Sequence, residues 1–116
     1  MNELIPIDLA RLQKITRGDV DFQQELLETF MEDAPGFIED IKIALVKQDH
    51  HTLKHKAHQL KGAAATVAIF PLSDLAAQLE KKVEQEQLDS SNFLVKEMEH
   101  LLEQVRLFIE TGDNSD

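Results

Sequence analysis

His58, Lys61 and Gly62 stand together in the run Ala57-His58-Gln59-Leu60-Lys61-Gly62-Ala63-Ala64-Ala65-Thr66-Val67-Ala68-Ile69. An exposed imidazole has a pKa of about 6.5, so at neutral pH much of it is uncharged and nucleophilic and can accept a phosphoryl group on a ring nitrogen. Such a transfer needs in-line positioning and positive charge near the equatorial oxygens, with little covalent machinery beyond the nucleophile. Lys61, one helical turn beyond His58, carries that charge, and Lys54, one turn before it, lies on a neighbouring flank and adds to the field. Gly62 is the odd member. A helical glycine costs about 1 kcal/mol relative to alanine, yet three alanines follow it directly, so it must serve something other than helix stability.

These residues work together only on a helix that turns them outward. At about 100° per residue, Leu53, Ala57, Leu60, Ala64 and Val67 fall within about 40° of one line, and His58 lies about 140° away from it. Helical side chains lean toward the N-terminus, so a side chain at position 62 would cover the surface beside the His58 ring. Glycine leaves the imidazole open to a visitor.

The remaining chain reads as helices that can hold this one. Asp8 caps a short helix over about residues 8–16, with Leu9, Leu12 and Ile15 at helical spacing and Gly18 as its stop. Asp19 or Asp21 opens a longer one whose apolar residues Phe22, Leu26, Phe30, Ala34, Ile38, Ile41 and Leu45 keep phase past Pro35, which predicts one kinked helix rather than two. Asp49 caps the histidine helix, expected to end near Val67. Pro71 suits the first turn of a helix carrying Leu72, Leu75, Ala76, Leu79 and Val83. Ser90 or Ser91 caps a last helix with Leu94, Met98, Leu101, Val105 and Phe108 inward and Gly112 at its end. The pattern predicts an all-α fold: an antiparallel up-down four-helix bundle with a short additional N-terminal helix. Met31 and Met98 fit it as packing residues.

With 116 residues, 42% of them hydrophobic, the chain suits a single domain over residues 1–112, with 113–116 as a disordered tail. There is no cysteine, which removes disulfides and thiolate metal sites. The opening Met-Asn-Glu-Leu-Ile-Pro has no basic segment or long apolar run, so a soluble, cytoplasmic protein is expected, with a monomer as the default. The net charge of −10 disfavours nucleic acid and anionic membranes as partners. Its distribution is uneven: residues 1–41 carry ten acids and three bases, 42–61 one acid and five lysines, and 62–116 eleven acids and four bases. The basic stretch also holds His50, His51, His55 and His58. No Gly-rich phosphate loop, Gly-x-Ser-x-Gly elbow or His-Glu-x-x-His motif is present, so the chain reads as a carrier rather than a self-sufficient enzyme.

The run Ala57 to Ala64 resembles the signature of the histidine-containing phosphotransfer (HPt) domains of multistep phosphorelays. The likeness extends to Gly18-Asp19 through Phe22, Glu25-Leu26-Leu27, Phe30, Asp33-Ala34-Pro35 and Leu72 to Glu80. The resemblance implies a four-helix bundle in which His58 accepts the phosphoryl group, Lys61 stabilises it and Gly62 gives clearance to a docking receiver domain, with Gln59, Ala65, Lys54 and His55 on the docking surface. It places an imidazole-orienting polar residue on the next helix, at Glu80 or secondarily Gln78; a carboxylate there would orient the ring yet repel phosphate. The implied partners are receiver domains of response regulators or a hybrid histidine kinase. No cofactor belongs to this chain, and Mg²⁺ is expected in the partner receiver. The sequence departs from the family at Ala68, where glycine is usual. Because alanine resists a positive φ, the helix is expected to continue for another residue or to leave by a different turn.

Two alternatives compete. His51, His55 and His58, within about 60° on one helix face, could hold zinc or nickel, although the nearby lysines repel a cation. A non-catalytic helical adaptor would explain the amphipathic helices equally well but leaves the glycine beside an exposed histidine without a purpose.

Overall fold

The structure, a computed structural model, describes residues 6–111. The expected stop at Gly112 and tail over 113–116 lie outside them. Five helices, and no strand among the described residues, make up the chain: α1 (Leu9–Thr16), α2 (Val20–Lys47), α3 (His50–Thr66), α4 (Phe70–Glu84) and α5 (Ser91–Thr111).

The first three helices begin at the aspartates that the sequence marks. The side chains of Asp8, Asp19 and Asp49 accept the backbone N–H of Arg11, Phe22 and Thr52, which satisfies a donor left free in each first turn. α1 ends in left-handed Arg17 and Gly18. It packs only on α2, so it buries a narrower strip than its spacing predicts: Leu12 and Thr16 are inside, while Leu9 and Ile15 stay exposed. α2 runs unbroken through Pro35. Losing the proline N–H costs about 3 kcal/mol in a helix interior, and burial of Ala34, Ile38 and Ile41 beside it offsets that loss. Phe22, expected inward, instead borders an open cleft with Leu26, Ala63 and Val67. α4 carries Pro71 in its first turn. At α5 Ser90 takes the cap position, its carbonyl accepting Leu94 N–H, but no side-chain cap forms: the Ser90 hydroxyl bonds to no first-turn N–H, and the Ser91 hydroxyl is buried without a partner.

The four long helices form a ring, α2 against α3, α3 against α4, α4 against α5 and α5 back against α2. α3 projects Leu53, Ala57, Leu60 and Ala64 into the ring, where they share one buried core with Leu72, Ala76 and Leu79 of α4 and Met98 and Val105 of α5. Met98 is wholly buried, as a packing residue should be, and Met31 only half.

The exit from α3 corrects the expectation for Ala68, which adopts a positive φ of 62°. Ile69 N–H reaches the Ala64 carbonyl at 2.9 Å and Ala68 N–H the Ala65 carbonyl at 3.0 Å, the two bonds of a Schellman ending. The Ala68 carbonyl accepts Asp8 N–H at 2.8 Å, and Ala68 and Ile69 are fully buried. Left-handed backbone costs an L-residue about 1–2 kcal/mol; three hydrogen bonds and a buried methyl offset it. Ala68→Gly should therefore change unfolding free energy by less than about 1 kcal/mol, since relief of the strain balances loss of about 0.8 kcal/mol of methyl burial. Ala68→Val should cost more than about 2 kcal/mol, from a β-branched residue at positive φ in a filled site. Urea unfolding distinguishes these outcomes, and a tolerated valine would show that the turn is not held as described.

Candidate functional site

α3 turns His58 away from the core, leaving its side chain 64% exposed, and α4 brings Glu80 beneath it, with a side chain only 14% exposed. Glu80 lies one position past the buried Leu79 on the edge of the α4 stripe, so the packing of Leu79 sets where its carboxylate can reach. One oxygen, Oε2, stands 3.0 Å from His58 Nδ1; the other, Oε1, stands 2.8 Å from Lys61 Nζ. The Lys61 ammonium holds the Glu80 carboxyl below the usual carboxylate range, against the opposing effect of burial and with the help of His58.

This geometry sets the imidazole's proton. An ionised carboxylate only accepts hydrogen bonds, so Nδ1 must be the N–H that donates to Oε2. In the neutral ring Nε2 then carries the lone pair, and it has no partner among the described residues. The arrangement is an oriented nucleophilic nitrogen with a paired carboxylate behind it.

Gly62 lies on the same exposed surface, and a Cβ built there would meet nothing within 4 Å. No neighbour among the described residues requires glycine there, and its local consequence is open space beside His58. The helix stays regular across it, with the Gly62 carbonyl accepting the Thr66 hydroxyl at 2.9 Å.

The other candidates divide. His55 is exposed and Ala65 half-buried. Gln59 departs from the docking expectation: it is half-buried and its Oε1 is turned inside without a hydrogen-bond partner. Lys54 is held by Glu84 at 3.1 Å rather than standing free. Gln78 is exposed, and it is Glu80 that bonds to the imidazole. The basic stretch of sequence is not a basic patch in space, because Lys42, Lys54, Lys56 and Lys61 pair with Glu99, Glu84, Asp40 and Glu80 from other helices. Among the described residues no three His, Asp or Glu side chains converge to hold a metal ion, so His51, His55 and His58 do not form the triad that their spacing allowed.

One contact escaped the sequence reading. Ser73, buried on α4, donates its hydroxyl to the Lys61 carbonyl at 3.0 Å. Its signal was available: seven residues before Glu80, it falls within about 20° of Glu80 on the helix wheel.

The comparisons with known proteins agree with the helical fold. The family model described as Hpt domain matches residues 25–108. Among solved structures, histidine-containing phosphotransfer protein B (HptB) from Pseudomonas aeruginosa PAO1 is similar, with a TM-score of 0.79 and 27% identity over 90% of this chain and 88% of that one. No curated protein sequence matches. No helix among the described residues is long and apolar enough to cross a membrane. With an exposed histidine on a helical bundle and a family match over most of its length, the chain belongs to the Hpt domain family.

Proposed function

We propose that this chain is a phosphorelay intermediate in which His58 takes a phosphoryl group from an aspartyl phosphate on a receiver domain, or from a kinase, and passes it to the aspartate of a response regulator. The observation that carries this reading is the 3.0 Å bond from His58 Nδ1 to an ionised Glu80, which leaves Nε2 as the exposed nucleophile. The Nε2 lone pair attacks phosphorus, the bond from phosphorus to the aspartate oxygen breaks, and the carboxylate leaves with its electron pair. The ring then carries a positive charge, stabilised by Glu80 through the Nδ1–H bond. Delivery to the next aspartate is the reverse. Lys61 answers the objection that a carboxylate here would repel phosphate: its ammonium, 2.8 Å from Glu80, offsets that charge. The chain acts as a carrier, and the Mg²⁺ and the acidic pocket belong to the receiver.

The finer architecture is part of the same reading. An antiparallel up-down bundle with a short N-terminal helix fits the brief links at 48–49, 67–69 and 85–90 and the pairing of α3 with α4, in which Lys54 meets Glu84, His58 meets Glu80 and the Lys61 carbonyl meets Ser73. We read residues 1–112 as one domain, acting as a cytoplasmic monomer with receiver domains as its partners.

Incubation with a phosphorylated receiver and Mg²⁺ should give an acid-labile, base-stable label on the wild-type protein and none on His58→Gln. A label that survives the substitution, or none from a broad panel of receivers, would defeat the proposal and leave a helical adaptor. Gly62→Gln should keep the helix content by circular dichroism while slowing transfer about tenfold or more, a barrier of about 1.4 kcal/mol from obstructed approach. Unchanged rates would show that the clearance at Gly62 has no role. Because the folded Glu80 titrates below its unfolded value, its stabilising contribution is present above the unfolded pKa of about 4.3 and is lost as pH falls through the folded one. Glu80→Gln should therefore lose less stability than the wild type between about pH 6 and pH 3, and parallel curves would contradict that assignment.

A further inference from the structure

Glu80 reaches two groups on α3 with one short side chain, which works only at one axial register of α4 against α3. Three contacts span that seam near the site: Lys54 with Glu84 at 3.1 Å, the Glu80 bridge itself, and the Ser73 hydroxyl on the Lys61 carbonyl at 3.0 Å. The Lys54–Glu84 pair is half exposed on both sides, and such pairs fix little because water and salt compete for both charges. The Ser73 bond differs in kind. Ser73 is 9% exposed, its short side chain has few rotamers, and its acceptor is backbone, which cannot swing away as a lysine can.

We propose that Ser73 is a positioning residue for phosphoryl transfer: its hydroxyl locks α4 to the α3 backbone at Lys61 and so holds the Glu80 carboxylate where it fixes the Nδ1–H form of His58 and pairs Lys61. It touches neither the phosphoryl group nor the imidazole and acts through Glu80. The Lys61 carbonyl also has the acceptor position of an ordinary helical residue, so removing the hydroxyl does not leave it without its helical bond. Loss of Ser73 therefore frees the register without breaking the helix. The serine also sits two turns of α4 before Glu80 on nearly the same face, so small sliding or rotation of α4 at Ser73 is carried along the helix to the carboxylate.

The inference rests on the phosphocarrier reading for its rate effect, but its first readout does not. Nitrogen-15 chemical shifts of the His58 ring should report a dominant Nδ1–H tautomer in the wild type and a mixture, with the two ring nitrogens drawn closer in shift, in Ser73→Ala. Ser73→Thr, which restores a hydroxyl, should return the wild-type pattern. Thr16→Val is the matched control, since it removes another buried hydroxyl-to-carbonyl bond, on Leu12 in α1, and should leave the ring unchanged. Transfer from a phosphorylated receiver should slow about tenfold in Ser73→Ala, and less than about twofold when Ser73→Ala is added to Glu80→Ala. Thermal melts establish that each variant is folded, and Ser73→Cys, close in size but only a weak S–H donor, carries the comparison if Ser73→Ala is not. Unchanged ring shifts in folded Ser73→Ala, or an undiminished tenfold effect in the Glu80→Ala background, would overturn the proposal. If the wild type takes no label while the ring shifts respond as expected, the carrier function fails and the positioning role of Ser73 stands.

Discussion

One carboxylate, Glu80, ties the site together, because it is the group through which the core of the bundle acts on His58. It is ionised, mostly buried, and shared between an imidazole N–H and an ammonium. Each of those partners on an exposed helix face would otherwise be a solvated side chain with many conformations, and a surface ion pair alone would order neither. Sharing one carboxylate held against the core reduces that freedom. The reach of a glutamate is short, so α3 and α4 must lie close; methyl-sized side chains at Ala57, Ala64 and Ala76, all fully buried, permit that approach.

Electrostatics at the site follow from pairing more than from net charge. The chain is acidic overall, with a formal charge of −10, and its lysine-rich stretch looks in sequence like a landing field for phosphate. Folding brings carboxylates from α2, α4 and α5 onto four of those five lysines. What remains at His58 is local: a lysine and a glutamate that neutralise each other beside an open surface. In the proposed relay, a phosphoryl group on a receiver aspartate would meet a nearly neutral surface with a directed lone pair, and its own charge would be met largely by the cations of the receiver.

Much of this was legible in the sequence, for identifiable reasons. The buried stripe of α3 and the outward His58 follow from the helical period, and the first three helix starts from aspartates with local capping bonds. Glu80 was reachable by family resemblance and by counting along α4. Most of the failures depend on tertiary contacts. Ala68 takes a conformation that its own propensity opposes because Asp8, sixty residues away, and the Schellman bonds hold it there. Gln59 and Lys54 share the outer half of α3 with His58 in projection, yet Gln59 is half-buried with its Oε1 turned inside and Lys54 is paired with Glu84. Ser73 lies beside Glu80 on the edge of the α4 stripe, and only the packing of α3 on α4 gives its hydroxyl the Lys61 carbonyl.

Which ring nitrogen carries the phosphoryl group tests the Glu80 constraint most directly. Phosphorylated protein, enriched in nitrogen-15, can be read by the coupling of phosphorus to one ring nitrogen or the other. Phosphorus bonded to Nε2, with Nδ1 still protonated, is the predicted result, because Glu80 occupies the Nδ1 side at 3.0 Å. Phosphorus on Nδ1 would contradict it, since that product requires the bond to Glu80 to be broken and the ring to present its opposite edge.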